Sequence, residues 1–140
     1  MSPSSRTRGA AMRYLCLIHL DEAQLGALPE AQANALNARH LELNEELLAS
    51  GHFIEAEALE PAASATCIRV RNGRATLTDG PYAETKEMVA GFYFIEARDL
   101  NEAIQVAARF PGAPLGTVEV RPCRDLVVDG TPRKASSKAR

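Results

Sequence analysis

Proton transfer needs a carboxylate or an imidazole held in place, and this chain presents three such groups in settings that would hold them. The first lies in the run Asp79-Gly80-Pro81-Tyr82-Ala83-Glu84-Thr85-Lys86-Glu87. Asp79 can hydrogen-bond the backbone ahead of it, Gly80 permits dihedral angles closed to other residues, and Pro81 fixes φ, so the trio forms a rigid turn. A carboxylate fixed in this way suits a general acid or base, with Pro81, Tyr82, Glu84 and Lys86 as ligand-binding groups on the rim of a cleft. The same trio is equally a complete turn without chemistry. His40 is the second group, four residues after Leu36 and three before Leu43, on the apolar stripe of a helix. An imidazole there is either a hydrogen-bonded structural residue or a proton shuttle, and His40 with Asp79 forms the candidate catalytic pair. His19, the third, ends a strand beside Asp21 and Glu22, where it is placed to face the mouth of a cleft. His52, at a helix exit, favours the C-terminal dipole and is assigned no chemistry. Glu119 and Arg121 project opposite Val118 and Val120, positioned to pair with each other.

Other chemistries lack their short signatures. The chain has no Gly-rich phosphate loop, no metal-ligand spacing and no Gly-x-Ser-x-Gly elbow, so no cofactor and no metal are expected. Cys16, Cys67 and Cys123 are scattered and odd in number. Such a set fits reduced, partly buried thiols better than a disulfide framework.

Composition bounds the architecture. With 140 residues, 46% hydrophobic and 24% charged, the chain has the material for one core. A net charge of -2 argues against an extended phosphate-binding surface, so nucleic acid is not an expected partner. Nowhere do about 18 apolar residues run consecutively, as a membrane span requires, and a cytoplasmic protein is expected. Residues 1–11 read as an N-terminal tail, with Met12 an alternative start, and residues 126–140 as a flexible basic C-terminal tail. The organised domain is expected over residues 12–125.

The elements that must carry the candidate groups alternate in type. Strands are predicted at residues 14–19, 52–59, 66–71, 74–78, 88–96 and 117–121. Asn72-Gly73 joins the third and fourth, and is the dipeptide best suited to the positive φ angles of a two-residue type I′ hairpin. Helices are predicted at residues 29–50, ended by Gly51 in the left-handed conformation, and 100–109, opened by a capping box of Asp99 and Glu102. Ala33, Leu36, Leu43 and Leu47 fall on one stripe, as do Leu100, Ala103, Ile104 and Ala107. With the hairpin set aside the order is β-α-β-β-α-β, an α+β fold of the ferredoxin-like split βαβ type with an added hairpin.

Two helices cover one face of such a sheet. Tyr14, Cys16 and Ile18 alternate with Leu15 and Leu17, and Gly91, Tyr93 and Ile95 alternate with Ala90, Phe92 and Phe94, so both faces of two strands are apolar. A solvated antiparallel face would be polar, so a second copy is expected to cover it in a homodimer.

The Asp79-Gly80-Pro81 run closely resembles the Asp-Gly-Pro-Phe motif of the DGPF branch of the YCII-related family, with Tyr82 in place of Phe. The resemblance extends to Glu45-Glu46-Leu47-Leu48-Ala49-Ser50-Gly51, Arg69-Val70-Arg71-Asn72-Gly73-Arg74, Gly91-Phe92-Tyr93 and Val118-Glu119-Val120-Arg121-Pro122. It implies a dimeric α+β barrel. Shorter members carry a histidine on the first helix, which His40 matches by position, and are associated with acid-base chemistry by a His and Asp pair. Two readings follow. One is a homodimer that binds a small molecule and performs lyase- or isomerase-like proton transfer. The other is a noncatalytic regulatory or interaction domain, because family members resemble proteins encoded or fused with extracytoplasmic-function sigma factors.

Overall fold

A computed structural model describes residues 11–135. Its centre is a four-stranded sheet built from β1 (Met12–Leu20), β2 (Phe53–Ala58), β5 (Met88–Ala97) and β6 (Gly116–Pro122), in the order β2-β5-β1-β6. Each neighbouring pair is antiparallel. Between β2 and β5 the chain makes a separate hairpin of β3 (Thr66–Arg71) and β4 (Arg74–Asp79). Its turn residues Asn72 and Gly73 take φ of 53° and 74°, as a type I′ turn demands. The element order and strand directions are those of the split βαβ plan.

Among the described residues three α-helices accompany the sheet: α1 (Glu22–Gly26), α2 (Glu30–Ser50) and α3 (Leu100–Ala107). α2 ends because Gly51 turns left-handed at φ 83°, which brings the His52 amide to the Leu47 carbonyl at 2.9 Å and the Gly51 amide to the Leu48 carbonyl at 3.2 Å. α3 begins where Asp99 accepts from the Glu102 amide at 2.9 Å, while the Glu102 carboxylate reaches back to the Arg98 amide at 2.8 Å. These reciprocal bonds satisfy donors that the first helical turn cannot pair internally.

The core lies between α2, α3 and one sheet face. Tyr14, Cys16, Ile18 and Leu20 from β1, with Tyr93, Ile95 and Ala97 from β5, meet Leu43 and Leu47 of α2 and Ala103, Val106, Ala107 and Phe110 at and beyond α3. Tyr93 and Phe110 stack with centroids 4.2 Å apart. That stack sets the rotation of α3 and corrects its expected stripe: Val106 and Phe110 are buried, whereas Leu100 and Ile104 are half exposed. Burial of Cys16 pushes its thiol up to about 12, so it packs as a small hydrophobe. All three cysteines are free.

The sequence reading lacked α1 and a second hairpin. α1 forms because the Asp21 carboxylate accepts from the Ala23 amide at 2.9 Å. Residues 126–133, expected within the C-terminal tail, pair instead as β7 (Leu126–Val128) with β8 (Thr131–Arg133). Asp129-Gly130 takes positive φ at both positions, the same device as Asn72-Gly73. The expected N-terminal tail falls on residues 1–11, of which 1–10 lie outside the described residues.

Candidate functional site

The sheet face away from the helices is apolar in the middle and charged at its margins. Because residues opposite each other in an antiparallel pair share a face, the register lays it out in rows. Glu57, Phe92, Leu17 and Glu119 form one row across β2, β5, β1 and β6, and Glu55, Phe94, Leu15 and Arg121 form the next. Val89, His19 and Thr117 form a third, next to a bulge between Ile18 and His19. Arg13 lies with its guanidinium 6.0 Å from the Phe94 ring centroid and 3.6 Å from Asp125.

His19 is the imidazole on this face. Its Nε2 stands 3.0 Å from Glu119 Oε1, and Arg121 donates to the other Glu119 oxygen at 2.6 Å. Arg121 first, and His19 second, hold the Glu119 carboxyl below the usual carboxylate range. A carboxylate beside an imidazole fixes the orientation of the ring, as a general base requires. The side chain of His19 is 25% exposed, so the ring is accessible yet partly screened from water. The expected Glu119–Arg121 pair is therefore present, and sequence reasoning missed only its connection to His19. No sequence signal carries that connection, because 100 residues separate the partners and only the β1–β6 register brings them together.

The Asp79–Glu87 run ends beside the same place. Glu87 accepts from Thr117 Oγ at 2.8 Å, and Thr117 is the register partner of His19. Upstream, Pro81, Glu84, Thr85, Lys86 and Met88 form one wall of a cleft of about 240 Å³. Asp21, Glu22, Ala23, Ala62 and Ala63 form the other, joined where Glu22 accepts from the Ala62 amide at 2.7 Å. Three of the five expected ligand-binding residues, Pro81, Glu84 and Lys86, line this cleft. Tyr82 does not, being 90% exposed. His19 lies outside the lining but only two residues before Asp21, so cleft and imidazole share one end of the sheet.

His40 and Asp79 occupy different settings. His40 lies on the helix side, with Nδ1 3.1 Å from the Tyr93 hydroxyl and the two rings stacked at 6.0 Å. Burial, and secondarily the Arg39 charge, pushes its imidazole down, while burial pushes the Tyr93 phenol up to about 12. Both shifts favour neutral rings, and the pair pins α2 to the sheet. Asp79 is exposed at the end of β4, opposite Thr66. The turn after it is held through the backbone instead, Gly80 at φ 103° donating to the Ala65 carbonyl at 2.7 Å. Among the described residues no hydrogen bond joins Asp79 to His40, and neither lines the cleft. Among the described residues, too, no three His, Cys, Asp or Glu side chains converge as a metal site requires. Among the described residues no helix is long and apolar enough to cross a membrane.

The model of the YCII-related domain matches residues 12–127. The chain belongs to the YCII-related family. It is also similar to an uncharacterised protein of Rhizobium meliloti (strain 1021), at 30% identity over 113 residues that cover 79% of this chain and 91% of that protein. The matched span of the family includes every residue of the rows described above, and extends to Leu126 and Val127 at the start of the second hairpin.

Proposed function

We propose that this YCII-related chain acts as a homodimer, paired through the helix-free sheet faces into an α+β barrel, that binds a small apolar molecule and exchanges a proton with it through His19. The observation that carries this reading is the 3.0 Å contact between His19 and Glu119 at the edge of an apolar surface. Leu15, Leu17, Phe92 and Phe94 offer a floor for rings or short alkyl groups, and each such group removed from water contributes about 0.8 kcal/mol per methylene. His19 would take an acidic proton from the ligand, Glu119 would stabilise the imidazolium that results, and Arg121 adds positive charge near the anion left behind. Removal and return of a proton by one base is isomerase-like. Removal followed by loss of a leaving group is lyase-like.

The test is a thermal-shift screen of small aromatic and keto acids, phenols and enols against four proteins: wild type, His19→Gln, His40→Gln and Asp79→Asn. Ligand that binds the native state must raise its melting temperature. The expected result is a shift present in wild type and Asp79→Asn and absent in His19→Gln. A shift that survives His19→Gln but disappears in both His40→Gln and Asp79→Asn would move the chemistry to the helix side. For the dimer, Leu17→Asp places a charge at the centre of the paired faces, and sedimentation equilibrium should report a monomer for it and a dimer for wild type.

A further inference from the structure

A second cluster of chemistry-bearing side chains lies where the end of α2 meets the start of α3. Ser50 is the last residue of α2, and the left-handed turn at Gly51 brings His52 back beside it. Ser50 Oγ is 2.7 Å from His52 Nδ1, and His52 Nε2 is 3.5 Å from Glu102 Oε1. Glu102 is itself fixed, one oxygen accepting from the Arg98 amide at 2.8 Å and the other pairing with the Arg98 guanidinium at 3.2 Å. None of these residues lines the cleft near His19. Hydroxyl, imidazole and carboxylate in this order are the parts of a nucleophile, its base and the group that orients the base.

The proton inventory agrees with those roles. Ser50 has one hydroxyl proton and two acceptors in reach, the Leu47 carbonyl at 3.2 Å and the imidazole at 2.7 Å. The Leu47 carbonyl already accepts from the His52 amide at 2.9 Å, so the hydroxyl is free to turn to the closer imidazole. With the ring as its Nε2–H tautomer, Ser50 donates to Nδ1 while Nε2–H faces the Glu102 carboxylate, and each of the three groups has a partner. The 3.5 Å separation is loose for a hydrogen bond, as such contacts commonly are before a substrate is bound. Exposure follows the same order: Ser50 is open to solvent, whereas the side chains of His52 and Glu102 are each only 20% exposed.

We infer that Ser50, His52 and Glu102 form a nucleophilic site that takes an acyl group from small esters with acidic leaving groups. Ser50 Oγ attacks the ester carbonyl carbon as its proton passes to His52 Nδ1, the bond from that carbon to the leaving oxygen breaks, and the leaving group takes the proton from Nδ1. Water then repeats the sequence on the Ser50 ester, releasing the acid and restoring the hydroxyl. Ser50 and His52 are the catalytic residues, and Glu102 positions the ring. The acidic leaving group follows from the place of Ser50 at the C-terminal end of α2, where the helix dipole gives no stabilisation to a developing oxyanion and the ester must be activated already. The site stands apart from His19 and from the dimer, and does not depend on either.

The probe is p-nitrophenyl acetate, with nitrophenolate release followed by absorbance and the acetylated residue mapped by peptide mass spectrometry. Ser64, whose hydroxyl donates to the Pro61 carbonyl at 2.7 Å, is the internal reference for a serine without an imidazole. Acetylation of Ser50 is expected to run at least about 100-fold faster than that of Ser64, the range a positioned base supplies, and His52→Gln should remove the advantage. Glu102→Gln retains an acceptor for the Arg98 amide, so its melting temperature should match wild type while the maximal acylation rate falls and the half-saturating ester concentration holds. Acetylation of Ser50 no faster than of Ser64 overturns the proposal, and so does a rate at Ser50 that is undiminished in His52→Gln. The first of these is read on the wild-type protein, so it decides even where a variant melts early.

Discussion

The two faces of the central sheet use the same residue type for opposite ends. On the helix side His40 meets a neutral phenol, Tyr93, in a stack that continues to Phe110, and burial drives the imidazole toward its neutral form. On the open side His19 meets an ionised carboxylate at the edge of apolar rows. A buried imidazole against an uncharged partner fastens elements together, whereas an accessible one beside a carboxylate can accept and release a proton. The partner and the face, more than the histidine, decide the role.

The strongest way to break this comparison is to remove the fastening. Tyr93→Ala deletes a ring that stacks on Phe110, meets Phe53 edge-on and bonds His40, and should cost about 3–5 kcal/mol in urea denaturation. Leu17→Ala on the open face, measured on monomer at high dilution, should cost clearly less. Equal losses would mean that the two faces do not differ as described.

Acidification sharpens the contrast at smaller amplitude. His40 has its folded pKa below the ordinary 6.5, so the unfolded chain binds its proton more readily. Its contribution to stability is therefore complete above about pH 6.5 and is lost as pH falls through the folded value. Wild type should lose more stability than His40→Gln between pH 7.5 and pH 5, as read from denaturation midpoints. A parallel decline in both proteins would remove His40 from the account. The smallest effect is expected at His19, where Gln replacement should change monomer stability by roughly 0.5 kcal/mol or less, since partly exposed ion pairs contribute little. A large loss there would make His19 a structural residue as well.

Much of the fold was legible from short-range chemistry. Asn72-Gly73 specified its hairpin, Gly51 the end of α2, and Asp99 with Glu102 the start of α3, because each feature is satisfied within a few residues. Both-sided apolar alternation in β1 and β5 announced a sheet whose middle is apolar on both faces. The facing of α3 was less legible, since its eight residues carry apolar side chains on more than one side and the docking of Phe110 on Tyr93 chose between them. The second hairpin at Asp129-Gly130 was hidden by the basic composition around it, although its turn dipeptide was visible.

For the candidate site, the residue types were visible and their company was not. The sequence by itself determined which groups could carry a proton, which turns were rigid and which strand faces were apolar, because these follow from side-chain chemistry and local backbone sterics. Only the tertiary structure decided that His40 bonds Tyr93, that His19 bonds Glu119, and that Asp79 stands apart from both. Those partnerships depend on strand order and register across separations of 53 and 100 residues, where no local rule acts and the packing of one sheet against two helices chooses.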